Sequence, residues 1–290
     1  MWPMSSKPVV PVLRLQGAIG MNSAFRQGLS LATAAGPIER AFSMSKLPSV
    51  ALLVNSPGGS PVQSNLIFKR IRQLAEEKKK TVYVFCEDVA ASGGYYIAVA
   101  GDEIYADPSS IVGSIGVIAA GFGFVEAIDK LGVERRVYTA GRSKSVLDPF
   151  KPEKPEDIER LTSIQHEIHD TFIGVVKSRR GEKISAPDDE IFTGAFWAAP
   201  TAERLGLIDG IVDVRTKMRA VHGDKVQLRL VSAGRRGLLS RFSRPPSIEQ
   251  MGIAEMSGDA AANAPALAAA VVSGGLSVLE ERALWSRYGL

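Results

Sequence analysis

One cysteine and three histidines are all that this 290-residue chain holds of the two residue types most used for disulfides and soft-metal sites. A lone Cys86 excludes a disulfide within the chain. Its place in the apolar run "TVYVFCED" predicts a buried strand thiol, which is compatible with a reducing compartment. Excess charge of one sign is also missing. Lys and Arg total 35 against 31 for Asp and Glu, a net +4. With no aromatic-rich basic motif beside it, that imbalance gives no ground for a nucleic-acid partner. The N-terminus, "MWPMSSKPVVPV", lacks the charged segment and apolar run of a secretory signal, so no signal peptide is expected. Long hydrophobic runs are scarce. Residues 108–125 are rich in Gly and Ser and suit a buried strand and turn. Residues 260–279 have the length of a span, but Ala dominates them and Pro and Gly-Gly interrupt them. They read as a flexible or surface-associating tail.

What is present is an ordinary soluble composition, 45% apolar and 23% charged. "VVPVLRLQGAI" (9–19) reads as a strand. "SVALLVNSPGG" (49–59) is a buried parallel-type strand running into a turn, and "TVYVFCED" (81–88) is a third strand. The intervening 60–79 carries helical apolar spacing at Val62, Leu66, Ile67, Ile71 and Leu74, and a cationic last turn. A helix is expected to end the 22–45 stretch. A short helix is expected after Ser92, strands in "EIYADP", "SIVGSIGVI" and "RRVYTAG" (135–141), and helices at "FVEAIDKLG" and 155–179. The segment 191–213 reads as turn, short helix and strand. This alternation predicts an α/β fold with a mostly parallel sheet. Composition shifts near residue 232. Residues 225–248 contain Lys225, Arg229, Arg235, Arg236, Arg241 and Arg244 and no acid, and an Ala-rich stretch follows. The expected organisation is a domain over 8–231 and a basic, then Ala-rich tail over 232–290.

Two strand-to-helix turns hold the chemistry. Asn55-Ser56-Pro57-Gly58-Gly59 follows one strand and Ala90-Ala91-Ser92-Gly93-Gly94 follows the next. Sites in α/β sheets gather beyond the carboxyl ends of strands. Glycines there let backbone N–H groups approach a substrate, and an oxyanion hole needs two such donors. Gly59 and Gly93 are the candidate donors and Ser92 the candidate nucleophile. Alone, Ser92 would read as a helix cap and "SPGG" as a plain turn. Their pairing favours function. The base is harder to find. His166 and His169 sit on a helix full of Gln, Glu and Asp, the pattern of a solvated face, and His222 lies in charged "VHGDK" and reads as exposed. A Ser-His-Asp triad is poorly supported. A lysine can serve if burial keeps its amine neutral. Lys144, in "YTAGRSKSVLDPF", lies beyond a predicted strand and after Gly141. The bland alternative is an exposed loop lysine.

These stretches resemble the signal peptide peptidase A-type serine peptidases. The resemblance rests on "LLVNSPGGSPVQSNLIFKRI", "VFCEDVAASGGYYIAVAGDEIYADPSSIVGSIGVI", "VYTAGRSKSVLDPFKPEKPEDIERL" and the closing "IFTGAFWAAPTAERLGLIDGIVD". It covers about 9–215, at the half-length form of the family. It implies a ClpP/crotonase-like fold of ββα-type units with helices on both faces of the sheet. It further implies Ser92 as nucleophile, Lys144 as general base, Ser114 of "VGSIGV" orienting that lysine, and Gly59 and Gly93 as oxyanion donors. No cofactor and no metal are implied. The implied partners are an extended peptide substrate and further copies of the chain in a ring, in which a neighbour helps complete the dyad. Typical members begin with a membrane-spanning segment, which this sequence does not show. The expected location is therefore cytoplasmic or peripheral to the inner membrane, with the tail able to meet an anionic surface. Two other readings stay open: a crotonase-type acyl-CoA enzyme, and a non-catalytic ring-forming scaffold.

Overall fold

In a computed structural model, which describes residues 8–21, 28–141, 143–231 and 282–289, the chain is built on one eight-stranded sheet. Its strands are β1 (Val9–Gln16), β2 (Ser49–Ser56), β3 (Thr81–Ala91), β4 (Glu103–Ala106), β5 (Ile111–Gly113), β6 (Phe196–Ala198), β7 (Gly210–Ile211) and β8 (Gln227–Leu230). The path runs β6-β5-β3-β2-β1-β8, and β4 pairs β3 and β7. Every pairing is parallel except that of β5 with β6. The helices are α1 (Leu31–Ser43), α2 (Pro61–Lys78), α3 (Gly93–Ala98), α4 (Val125–Lys130), α5 (Pro155–Arg180), α6 (Asp188–Ile191), α7 (Ala199–Arg204) and α8 (Val214–His222). The α/β class and the mostly parallel sheet expected from the sequence are what the structure shows.

Both sheet faces are buried, which is why β2 and β3 read as near-continuous apolar runs. Alternate residues divide between two cores. Val50, Leu52, Val82 and Val84 pack with α1, α2 and α5, whereas Ala51, Tyr83 and Phe85 face Met218 of α8. β3 is long because it serves two neighbours on one side. Tyr83 to Cys86 pair with β4, and Val89 to Ala91 pair with β5. The second half of β3 thus projects past β4 and carries Ser92 beyond the sheet edge.

Helix α2 connects β2 to β3 with clear end signals. Ser60 caps it, accepting from the Gln63 amide, and Pro61 opens its first turn. Lys79 closes it at φ 51°. Helix α5 is tied to the sheet by charge. Arg180, 3% exposed, donates to both Asp209 oxygens at 2.8 and 3.2 Å, and Asp209 also accepts from the Ile104 amide at 2.8 Å.

Several expectations are corrected. Residues 135–141, expected as a strand, form none and are exposed except for a half-buried Val137, because no sheet edge among the described residues pairs with them. Only Ile111–Gly113 of "SIVGSIGVI" is strand. The basic stretch beginning at Lys225 contains β8, which pairs parallel with β1 at the sheet edge. His222 is half-buried, its Nε2 2.9 Å from the Ser49 hydroxyl, rather than exposed. Of the predicted tail, 232–281 and Leu290 lie outside the described residues. Residues 282–289 are described, and Tyr288 is buried against Val89 and Ala91.

Candidate active site

The two Gly-rich turns meet, as the neighbouring of β2 and β3 requires. Ser92 sits between the end of β3 and the first turn of α3, at φ 53° and ψ −123°. A non-glycine residue there is strained, and such outliers cluster at functional sites. The turn is held by the Ser92 amide donating to the Gly113 carbonyl at 2.8 Å and by the Tyr96 amide donating to the Ser92 carbonyl at 2.9 Å. The Ser92 hydroxyl makes no capping bond to α3. It is half-buried and opens onto cavities, so the cap reading fails.

Glycine is needed around it because backbones touch. A Cβ on Gly58 would stand 2.7 Å from the Ser92 Cβ and 2.9 Å from the Gly93 nitrogen. One on Gly93 would meet the Ser64 hydroxyl at 2.5 Å, and one on Gly59 would strike the Ile19 carbonyl oxygen. The Gly59 turn is fixed by Ile19, whose amide donates to the Gly58 carbonyl and whose carbonyl accepts from the Ser60 amide, each at 2.8 Å. Those bonds leave the Gly59 amide itself without an acceptor among the described residues. The Gly93 amide, at the first position of α3, has no helical acceptor either. Gly59, Ser92 and Gly93 line one apolar cavity of about 210 Å3 with Tyr96, Val117 and Phe172.

Ser114 is brought to the same place. It is 6% exposed, held at φ 53° with its amide bonded to the Ala195 carbonyl, and it shares a cavity with Ser92. That cavity is also lined by His166, exposed as a solvated face requires, and by His169, which is half-buried instead. The polar side of α5 lies across the site, and His169 Nε2 donates a hydrogen bond to the Ile115 carbonyl at 3.0 Å. The i, i+3 spacing was visible in the sequence, but nothing in it showed what that face covers. Among the described residues no cluster of His, Cys, Asp and Glu forms a metal site.

Lys144 is placed elsewhere. It is exposed, in a turn where its amide bonds the Gly141 carbonyl at 3.3 Å, and it lines none of the cavities that Ser92 opens into. Its surroundings project from the domain. Helix α4 buries no residue, and Phe122, Leu131 and Tyr138 are 81%, 77% and 91% exposed. Sequence reasoning also missed residues 283–287, of which Ala283, Leu284 and Arg287 line the cleft beside Ser92.

Residues 74–227 match the profile of Peptidase family S49. The "Na(+)/H(+) antiporter NhaA" of Brucella abortus is 55% identical over 97% of this chain and 37% of its own length. The "Serine protease SPPA, chloroplastic" of Arabidopsis thaliana is 31% identical, over 57% of this chain and 24% of that one. "Protease 4" of Haemophilus influenzae is 31% identical, over 70% and 32%. The chain therefore spans well under half the length of each of these relatives, and most of the antiporter-named protein lies outside the match. A variant of the "1510-N membrane-bound stomatin-specific protease" superposes with a TM-score of 0.48 at 18% identity, over 78% of this chain and 99% of that structure. Among the described residues, no helix is long and apolar enough to cross a membrane.

Proposed function

This chain belongs to peptidase family S49, and from that premise we propose that it is a serine-type peptidase whose dyad is Ser92 and Lys144. In this reading Ser92 Oγ attacks the scissile carbonyl carbon and its proton passes to Lys144 Nζ. The Gly59 and Gly93 amides receive the developing oxyanion. The C–N bond breaks as Lys144 returns the proton to the leaving amine. Water then attacks the acyl-enzyme, with Lys144 taking its proton and Ser92 recovering one, and the acid product leaves. Ser114 orients the lysine amine.

The observation that carries the reading is the meeting of three unengaged groups on one cavity: the Ser92 hydroxyl and the Gly59 and Gly93 amides. The apolar lining by Tyr96, Val117 and Phe172 suits a substrate side chain without charge. The substrate is an extended, signal-peptide-like segment, pairing with backbone beside the two turns. Lys144 reaches Ser92 from a second copy. The exposed apolar side chains around α4 support this, since an unpartnered patch of that kind marks an interaction surface.

The test is labelling of the full chain with a serine-reactive phosphonate and mapping of the adduct by mass spectrometry. Modification of Ser92, absent in Ser92→Ala and strongly slowed in Lys144→Met, is the expected result. Peptide hydrolysis by Lys144→Met at more than about a hundredth of the native rate would remove the lysine from the mechanism. An adduct on another serine would remove Ser92.

A further inference from the structure

The segment 282–289 is docked at the mouth of the cleft. Tyr288 is 6% exposed and packs on Val89 and Ala91, the two positions of β3 that lead into Ser92. Its ring meets Phe196 edge-on at 5.0 Å between centroids, and its hydroxyl donates to the Pro57 carbonyl at 3.4 Å. Pro57 belongs to the turn that carries Gly59. Trp285 and Ile111 complete the seat. One side chain thus touches the β3 end, the Gly59 turn and β6 together. Beside it, Arg287 lines both the cavity shared by Ser92 and Ser114 and the wider cleft formed with Pro57, Gly59 and Val117.

The charge of this lining is one-sided. Among the described residues, no aspartate or glutamate lines the three cavities that contain Ser92. Among the described residues, Arg287 is the only Lys or Arg lining them, joined by His166 and His169. Arg287 makes no ion pair with any described residue. Arg287 is itself exposed at the cleft mouth, and a guanidinium there with no described counter-charge can receive a carboxylate through paired N–H donors.

We infer that residues 282–289 are a built wall of the substrate cleft, anchored by Tyr288, and that Arg287 receives a substrate carboxylate there. This rests on the reading of Ser92 as the nucleophile. The carboxylate is either an Asp or Glu side chain near the scissile bond or the terminal carboxylate of a short substrate. Arg287 contacts substrate and sets specificity, whereas Tyr288 is a positioning residue that acts through it.

The experiment compares four peptides of one apolar core sequence with the full chain. One is neutral and amidated, one neutral with a free terminal carboxylate, one carries an acidic residue and is amidated, and one carries a basic residue and is amidated. Ratios of kcat/KM are read for the native chain, Arg287→Gln, Arg287→Glu, Tyr288→Ala and Tyr288→Phe. The same peptides, fluorescently labelled, are titrated against the Ser92→Ala chain with and without Arg287→Glu. The native chain should favour an anionic peptide over the neutral one by about tenfold. The preferred arm separates side-chain from terminal carboxylate. Arg287→Gln and Tyr288→Ala should bring the ratio near one, Arg287→Glu should invert it toward the basic peptide, and Tyr288→Phe should keep it. Equal rates for all four peptides in the native chain would overturn the inference. So would a Tyr288→Ala chain faster on every peptide with its ratios preserved, which would make the segment a plug. If the native chain shows no Ser92-dependent hydrolysis, the nucleophile assignment fails instead. The titrations against Ser92→Ala then still decide the carboxylate site.

Discussion

At the scale of single residues, the site is defined as much by missing side chains as by present ones. Gly58 lies at φ +105°, and an added methyl there would press on the Ser92 side chain and on the Gly93 nitrogen at once. Gly58→Ala should lower hydrolysis by about a hundredfold or more while far-UV circular dichroism stays native, because misplacing one oxyanion donor has an effect of that order. Cys86 should behave oppositely. Burial pushes its thiol up to about 12, so it should resist alkylation in the native chain and react at the ordinary rate after denaturation. That the Ser92 turn and the Gly59 turn meet was legible in the sequence, because two strand ends in neighbouring positions both ran into glycine pairs. His166 and His169 were not. Their acidic and amide neighbours describe the helix surface, and only the fold shows that this surface roofs a cavity.

At the scale of elements, the fit of α5 to the sheet rests on a buried charge. Removing Arg180 leaves Asp209 without its principal partner, and Arg180→Ala should destabilise the chain by about 3–5 kcal/mol, read as a fall in melting temperature. Asp209 also sets a pH dependence. Burial pushes its carboxyl up, but hydrogen bonds from Arg180, Lys183 and the Ile104 amide outweigh this and hold it below the usual carboxylate range. Its folded value is therefore the lower one. The stabilisation is complete above the unfolded value of about 3.9 and is lost as pH falls through the folded value. Melting curves at decreasing pH should show this loss, and Asp209→Asn should flatten it. Strands β2 and β3 were readable because burial on both faces writes an unbroken apolar run. Residues 135–141 have strand-like composition, but strand formation needs a partner edge, which composition does not encode. β8 escaped notice because "QLRL" is short and half polar, as an edge strand is.

At the scale of the molecule, the proposed dyad is divided between a cavity and a projecting turn. If neighbouring copies complete each other, mixing Ser92→Ala with Lys144→Ala should restore hydrolysis that neither variant has alone. Subunit exchange followed by a peptide assay checks this, and no recovery on mixing would place both groups within one chain. The Ala-rich composition that suggested a free tail hid the seat of Tyr288, because anchoring there depends on two aromatic residues rather than on the average of the segment. The two serines at φ 53° carry a consequence for heat tolerance. Ser92 and Ser114 hold backbone shapes that suit a residue without a side chain, at an expense of roughly 1–3 kcal/mol each. Ser92→Gly should therefore melt later than the native chain while being catalytically dead. The protein's thermal weak point and its reacting atom would then be the same residue.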